Sequence, residues 1–110
     1  MSRKKKMSEE ELSFITQIDR VIHEPARFMI VAYLYVVESA DFLFLERQTG
    51  LTRGNLSSHM SKLEAAGYIE VVKEFIDKKP HTMLQLTESG RDAFQLYRKY
   101  MQEALDQIPD

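Results

Sequence analysis

The apolar residues of this chain change period at Gly67. Before it, Leu56, Met60 and Leu63 recur at helical spacing, three and four residues apart. After it, Tyr68–Ile76 is rich in β-branched and aromatic residues and reads as a strand. Asp77-Lys78-Lys79-Pro80 then reads as a turn, and Thr82–Leu86 as the returning strand of a two-stranded hairpin. A helix that ends on glycine and runs straight into a hairpin leaves few folds open. The residues before it narrow the choice further. Phe42–Gln48 predicts a short helix stopped by Gly50, because glycine tolerates the positive φ of a helix C-cap. Thr52 is placed to cap the helix that follows, which should run to about Ala66. A short helix, a tight turn and a second helix make a helix-turn-helix, and the hairpin supplies a wing. The stretch from Thr49 to Leu86 carries this signature.

The flanks are helical. Ser8 with Glu11 forms a capping box, and Leu12, Ile15, Ile18 and Ile22 follow at helical spacing. Pro25 suits the first turn of a second helix, which is expected to bury Met29, Ile30, Tyr33, Leu34 and Val37 and to form the centre of the core. Ser39-Ala40-Asp41 reads as a loop. Thr87 should cap a last helix from Glu88 to about Gln107. The expected fold is mostly α, of the α+β class: one domain over residues 8–110 behind a basic disordered tail at residues 1–7. With 110 residues, 44% of them hydrophobic, such a chain buries about two-thirds of its unfolded surface without staples. It has no cysteine, which excludes disulfides and thiolate metal sites. No apolar run approaches the ~20 residues that span a bilayer. The opening Arg3-Lys4-Lys5-Lys6 is followed by acidic residues instead of the apolar core of a signal peptide, so a cytoplasmic protein is expected.

The helix after Gly50 carries the candidate chemistry. Leu56, Met60 and Leu63 anchor one face. Thr52, Arg53, Gly54, Asn55, Ser57, Ser58, Ser61 and Lys62 lie at its N-terminus or on its other faces. Arg pairs bidentately with guanine and Asn with adenine, while Ser reaches bases or phosphates. Gly54 allows close backbone approach, and the helix N-terminus favours phosphate. Lys78, Lys79 and His81 on the hairpin are placed to hold phosphate or enter the minor groove. The formal net charge of −2 runs against nucleic-acid binding, but the cations cluster at residues 3–6 and 73–81, and local field governs an interface. His23, His59 and His81 share no metal-ligand spacing, and His59 is expected to be structural, on the inner side of its helix. Neither a nucleophile–base pair, a phosphate loop nor an HExxH motif is visible, so neither an enzyme nor a cofactor is expected.

The segment from Leu51 to Ile69, with Gly54-Asn55-Leu56-Ser57, His59, Lys62-Leu63-Glu64 and Ala66-Gly67-Tyr68, resembles the recognition helix of compact MarR/ArsR-like transcriptional regulators. The likeness continues through Lys73-Glu74-Phe75, Pro80-His81-Thr82 and Leu86-Thr87-Glu88-Ser89-Gly90-Arg91 and covers most of Asp19–Tyr100. It implies a homodimer on a pseudo-palindromic duplex, with DNA contact carried onto the Arg53–Lys62 helix and the Lys78–His81 wing. The cysteine-based metal sensing found in the wider group does not carry over. The last helix is longer than a small core requires. Phe94, Tyr97, Tyr100, Met101, Ala104, Leu105 and Ile108 are expected to pair with a symmetry mate, helped by Leu12 and Ile15. Two readings of Phe14, Tyr33, Tyr35, Phe42 and Phe44 stay open: a small-molecule effector held among them at such an interface, or plain core packing. A protein-interaction module on the same fold stays open, because Glu64, Glu70, Glu74 and Asp77 lie near the same surface.

Overall fold

The computed structural model describes residues 9–110, apart from the side chains of residues 10–12. The basic tail, the Ser8–Glu11 capping box and the contact assigned to Leu12 therefore lie outside the described residues. The chain runs α1 (Glu9–Thr16), α2 (Pro25–Val37), β1 (Ser39–Asp41), α3 (Phe42–Thr49), α4 (Arg53–Ala65), β2 (Ile69–Ile76), β3 (Lys79–Leu86) and α5 (Glu88–Asp106). The helix-turn-helix is α3–α4 and the wing is β2–β3, as the period change predicts.

Local chemistry sets most of these boundaries. Pro25 opens α2, and the Glu24 carboxylate accepts from the backbone N–H groups of Ala26 and Arg27. Asp41 caps α3, Thr52 caps α4 and Thr87 caps α5, each accepting a backbone N–H with its side-chain oxygen. Gly50 and Gly67 end their helices at φ +70° and +80°, the left-handed conformation in which a Cβ is unfavourable.

Four expectations are corrected. The first helix stops at Thr16, because the Asp19 carboxylate accepts from the N–H groups of Val21 and Ile22 and holds the chain in a turn there. In α2 the buried residues are Ala26, Ile30, Val31 and Leu34, while Met29 and Val37 are exposed. Residues 39–41 form a strand, pairing Ser39 with Gln85, Ala40 with Leu84 and Asp41 with Met83. The wing is thus part of a three-stranded antiparallel sheet of order β1-β3-β2. Finally, the wing turn has only two residues. Asp77 (φ +51°) and Lys78 (φ +65°) form the tight primed turn of a short hairpin, and β3 starts at Lys79 with Pro80 inside it.

The core gathers Ile30, Val31 and Leu34 from α2, Ala40 from β1, Leu45 from α3, Leu56 and Leu63 from α4, Ile69 from β2 and Leu84 from β3. Every element from α2 to β3 contributes, so α4 is packed between α2 and the sheet. The wing is tied to α5 by a tight contact. Thr87 Oγ1 donates to Gly67 O, Thr87 N–H donates to Tyr68 O, and Gly90 passes beneath that same carbonyl. A Cβ on Gly90 would stand 2.1 Å from Tyr68 O and 2.8 Å from Leu86 Cδ1. Gly90→Ala is therefore expected to destabilise the protein by about 1–3 kcal/mol, read as a lower urea midpoint at unchanged slope. An unchanged midpoint would refute this packing.

Candidate nucleic-acid interface

Helix α4 has a buried side and a free side. Leu56 and Leu63 are fully buried, with Met60 packed beside them. Thr52, Arg53, Gly54, Asn55, Ser58, Ser61 and Lys62 are exposed, and Ser57 is half-buried. The open surface around Gly54 leaves its backbone accessible. Arg53 is 72% exposed and meets Glu46 of α3 at 3.6 Å, a surface pair weak enough to yield to a phosphate or a base.

His59 takes the structural place expected of it. Arg27 Nη1 donates to His59 Nδ1 at 3.1 Å, and Glu24 Oε2 stands 3.4 Å from the same nitrogen. Because a guanidinium only donates, Nδ1 accepts and the ring proton sits on Nε2. The Glu24 carboxyl is held below its ordinary value: burial pushes it up, but the N–H groups of Arg27 and Ala26, with the charge of Arg27 and that of His59 whenever its ring is protonated, outweigh this. A polar tie thus joins the start of α2 to the middle of α4.

His81 departs from its expected role. It lies within β3, three residues beyond the wing turn, and its Nδ1–H donates to Asp41 Oδ2. The other oxygen of Asp41 accepts from Leu43 N–H at 2.7 Å. One carboxylate therefore caps α3 and grips the wing strand. The hydrogen bond from His81 holds the Asp41 carboxyl below its usual value; burial opposes this, and the Leu43 N–H reinforces it. His81 is thus a tie at the base of the wing, whereas Lys78 and Lys79 stand exposed at its tip.

Between α4 and the wing runs an open groove of about 500 Å³, lined by Arg53, Ser57 and Met60 on one side and Val71, Lys73, Pro80, His81 and Thr82 on the other, with Asp41–Leu43 at its end. Sequence reading did not place Lys73 and Thr82 in a site. The signal was available: strand alternation puts Lys73 on the face of Val71, which packs on the core, and the register sets Thr82 opposite it.

On α5 the expected contact surface divides. Tyr97 and Ala104 are buried within the protomer, and Tyr97 shares a 3.0 Å hydrogen bond with His23 Nδ1. Phe94 stacks among Tyr35, Phe28 and Tyr97, and Tyr100 meets Phe14 of α1. The apolar stripe is wide because α5 packs on both α1 and α2. What stays open is Ile15, Leu105 and Ile108 on the periphery, and a shallow groove where Met101 and Leu105 of α5 face Phe28 and Val36 of α2. Val36 is 80% exposed. The five aromatics expected to share an effector pocket are spread over four places. Tyr33 pairs with Phe44 and Phe14 with Tyr100, Tyr35 lies between Phe94 and Arg91, and Phe42 lines the α4–wing groove.

A capped helix-turn-helix, a hairpin wing folded beside its second helix, and an open groove between them define a winged-helix protein. The sequence family described as winged helix DNA-binding domain matches residues 26–105, and the chain belongs to that family. It is similar to an uncharacterized protein of Methanocaldococcus jannaschii, at 36% identity over 78 residues that cover 71% of this chain and 85% of that one. Among solved structures it is similar to a transcriptional regulator homologue from Pyrococcus horikoshii OT3, with a TM-score of 0.80, 28% identity, and coverage of 88% of this chain and 95% of that chain. It also shares the fold of NadR, solved in complex with 4-hydroxyphenylacetate, at a TM-score of 0.60, 21% identity and coverage of 97% and 81%. This is the winged-helix fold that the resemblance to MarR/ArsR-like regulators implied. Among the described residues no helix is long and apolar enough to cross a membrane.

The double role of Asp41 gives the site a measurable signature. Its folded-state pKa lies below the ordinary 3.8, so its contribution to stability is present above that value and is lost as pH falls through the folded-state value. Asp41→Ala should cost about 1–2 kcal/mol at neutral pH, for a lost helix cap and a lost partner of His81. Urea titrations of both proteins should show that gap closing below pH 3.8. A gap independent of pH would contradict the ionised Asp41 carboxylate as the group that caps and grips.

Proposed function

We propose that the protein binds duplex DNA as a homodimer and regulates transcription, with α4 in the major groove and the wing on the adjacent minor groove. The observation that carries this reading is the groove between α4 and the wing. With those two elements in neighbouring DNA grooves, the sugar–phosphate strand that separates them runs through it, past Arg53, Ser57, Lys73 and Thr82. Arg53, Asn55, Ser58, Ser61 and Lys62 then face base edges and phosphates at the mouth of the major groove. Thr52 and Gly54 bring the positive end of the α4 dipole to a phosphate. Lys78 and Lys79 hold the backbone flanking the minor groove. His81 acts by fixing the wing through Asp41.

The homodimer is supported by the apolar groove between α2 and α5. Phe28, Val36 and Leu105 are exposed along it, an arrangement that a second copy related by a two-fold axis would cover. Such a dimer sets two recognition helices about one DNA turn, ~34 Å, apart and matches a pseudo-palindromic site.

Two measurements check this. In a fluorescence titration, Arg53→Ala should lose about 1–3 kcal/mol on a selected duplex and relax its sequence preference, whereas Lys79→Ala should weaken selected and random duplexes alike and flatten the salt dependence. Absence of duplex binding at low salt would overturn the reading in favour of a protein-interaction module. In sedimentation, Val36→Arg should shift a dimer towards monomer without changing the folded signal. A wild type that is monomeric at micromolar concentration would refute the dimer.

A further inference from the structure

The wing tip carries an aromatic residue that the fold does not use. Phe75 is 79% exposed and takes no part in the ring contacts that join Phe14, Phe28, Phe44 and Phe94 to their neighbours. Its position is fixed. Antiparallel register sets Phe75 opposite Pro80, Lys73 opposite Thr82 and Val71 opposite Leu84. Residues two apart on a strand share a face, so Val71, Lys73 and Phe75 form one row. Val71 packs on the core, Lys73 lines the groove beside α4, and Phe75 continues the row outward by about 7 Å. Phe75 and Pro80 therefore project from the face that also carries the recognition helix.

The surroundings select the occupant. Lys73 shares the row, and Lys78 and Lys79 follow at the turn, giving three cations against Glu74 and Asp77. Glu74 belongs to the opposite face, paired in register with His81. An apolar ring on a narrow hairpin, flanked by flexible cations, matches a polyanion with an apolar interior. The stacked bases of a duplex, reached through its minor groove, have that character.

We propose that Phe75, backed by Pro80, enters the minor groove of bound DNA as a wedge between two base pairs, while Lys78 and Lys79 hold the phosphates on either side. This rests on the DNA-binding reading above and adds a deformation to it. The wedge partly unstacks one step and bends the duplex away from the wing, toward the major groove. Steps that unstack easily, pyrimidine followed by purine, are then preferred beneath the wing although no side chain reads their edges. The protein selects DNA by stiffness at the wing and by base edges at α4.

The test uses the full chain and short duplexes enriched from a random library by the wild-type protein, end-labelled for energy transfer. Wild type should bend the duplex by tens of degrees, within the range of roughly 20–90° typical of side-chain wedges. A 2-aminopurine placed under the wing should brighten as it unstacks. Phe75→Ala should still bind, but leave the duplex straight, the probe quenched and the pyrimidine–purine preference lost. Phe75→Leu, which keeps an apolar wedge, should restore most of the bend. Bound DNA that is equally bent by wild type and Phe75→Ala overturns the wedge and leaves DNA binding standing. Wild type that enriches no duplex overturns both. A Phe75→Ala protein whose only change is a smaller oligomer in sedimentation also overturns the wedge, and assigns the ring to a contact between copies.

Discussion

The orientation of α4 depends on two leucines. Leu56 and Leu63, seven residues apart and so on nearly the same side of the helix, have no exposed surface. They fill the space between α2, with Ile30, Val31 and Leu34, and the sheet, with Ile69 and Leu84. Burying each is worth about 1.5–3 kcal/mol. That anchorage turns Asn55, Ser58, Ser61 and Lys62 outward. These short polar side chains add little to the helix itself, since serine and asparagine are weak helix formers. Stability comes from one side of α4, and recognition chemistry is free to occupy the other. The Arg27–His59–Glu24 tie sets the rotation of the helix more finely, because a hydrogen bond is directional where apolar packing is not.

The wing is positioned by the same economy of groups. β3 is the central strand, held by β2 on one edge and by three residues of β1 on the other. Asp41 closes β1, starts α3 and grips His81, so the first helix of the helix-turn-helix and the base of the wing share one carboxylate. At the far end Thr87 and Gly90 press α5 against the β2 entrance at Gly67–Tyr68. The hairpin is therefore fixed at its base, while its outer residues from Phe75 to Pro80 are exposed. Such a lever keeps α4 and the wing in a constant relation without fixing what the tip touches.

Much of this was legible in the chain. Caps and C-cap glycines are local devices, and they placed α3, α4 and α5 within a residue or two: Thr52, Thr87, Gly50 and Gly67 all act as read. The division of α4 into a buried and a free side followed from the spacing of Leu56, Met60 and Leu63. What failed was set by long-range pairing. Ser39-Ala40-Asp41 has no strand signature, and becomes one because β3 offers an open edge. His81 looked like a wing cation until Asp41, forty residues away in sequence, arrived beside it. Tyr97 and Ala104 looked like dimer contacts because a helical stripe does not say which part of it a neighbouring helix will cover. The face of α2 was misjudged for a related reason: the helix is apolar almost all round, so its pattern holds no phase.

The central claim is that α4 and the wing present one surface to DNA. At 12.9 kDa the chain suits residue-level mapping by amide chemical shifts during titration with a selected duplex. The account predicts that the largest changes fall together on Thr52–Lys62 of α4 and on Lys73 and Phe75–Thr82 of the wing, and that they weaken in parallel as salt is raised. Changes confined to the α2–α5 groove, with α4 and the wing silent, would contradict it.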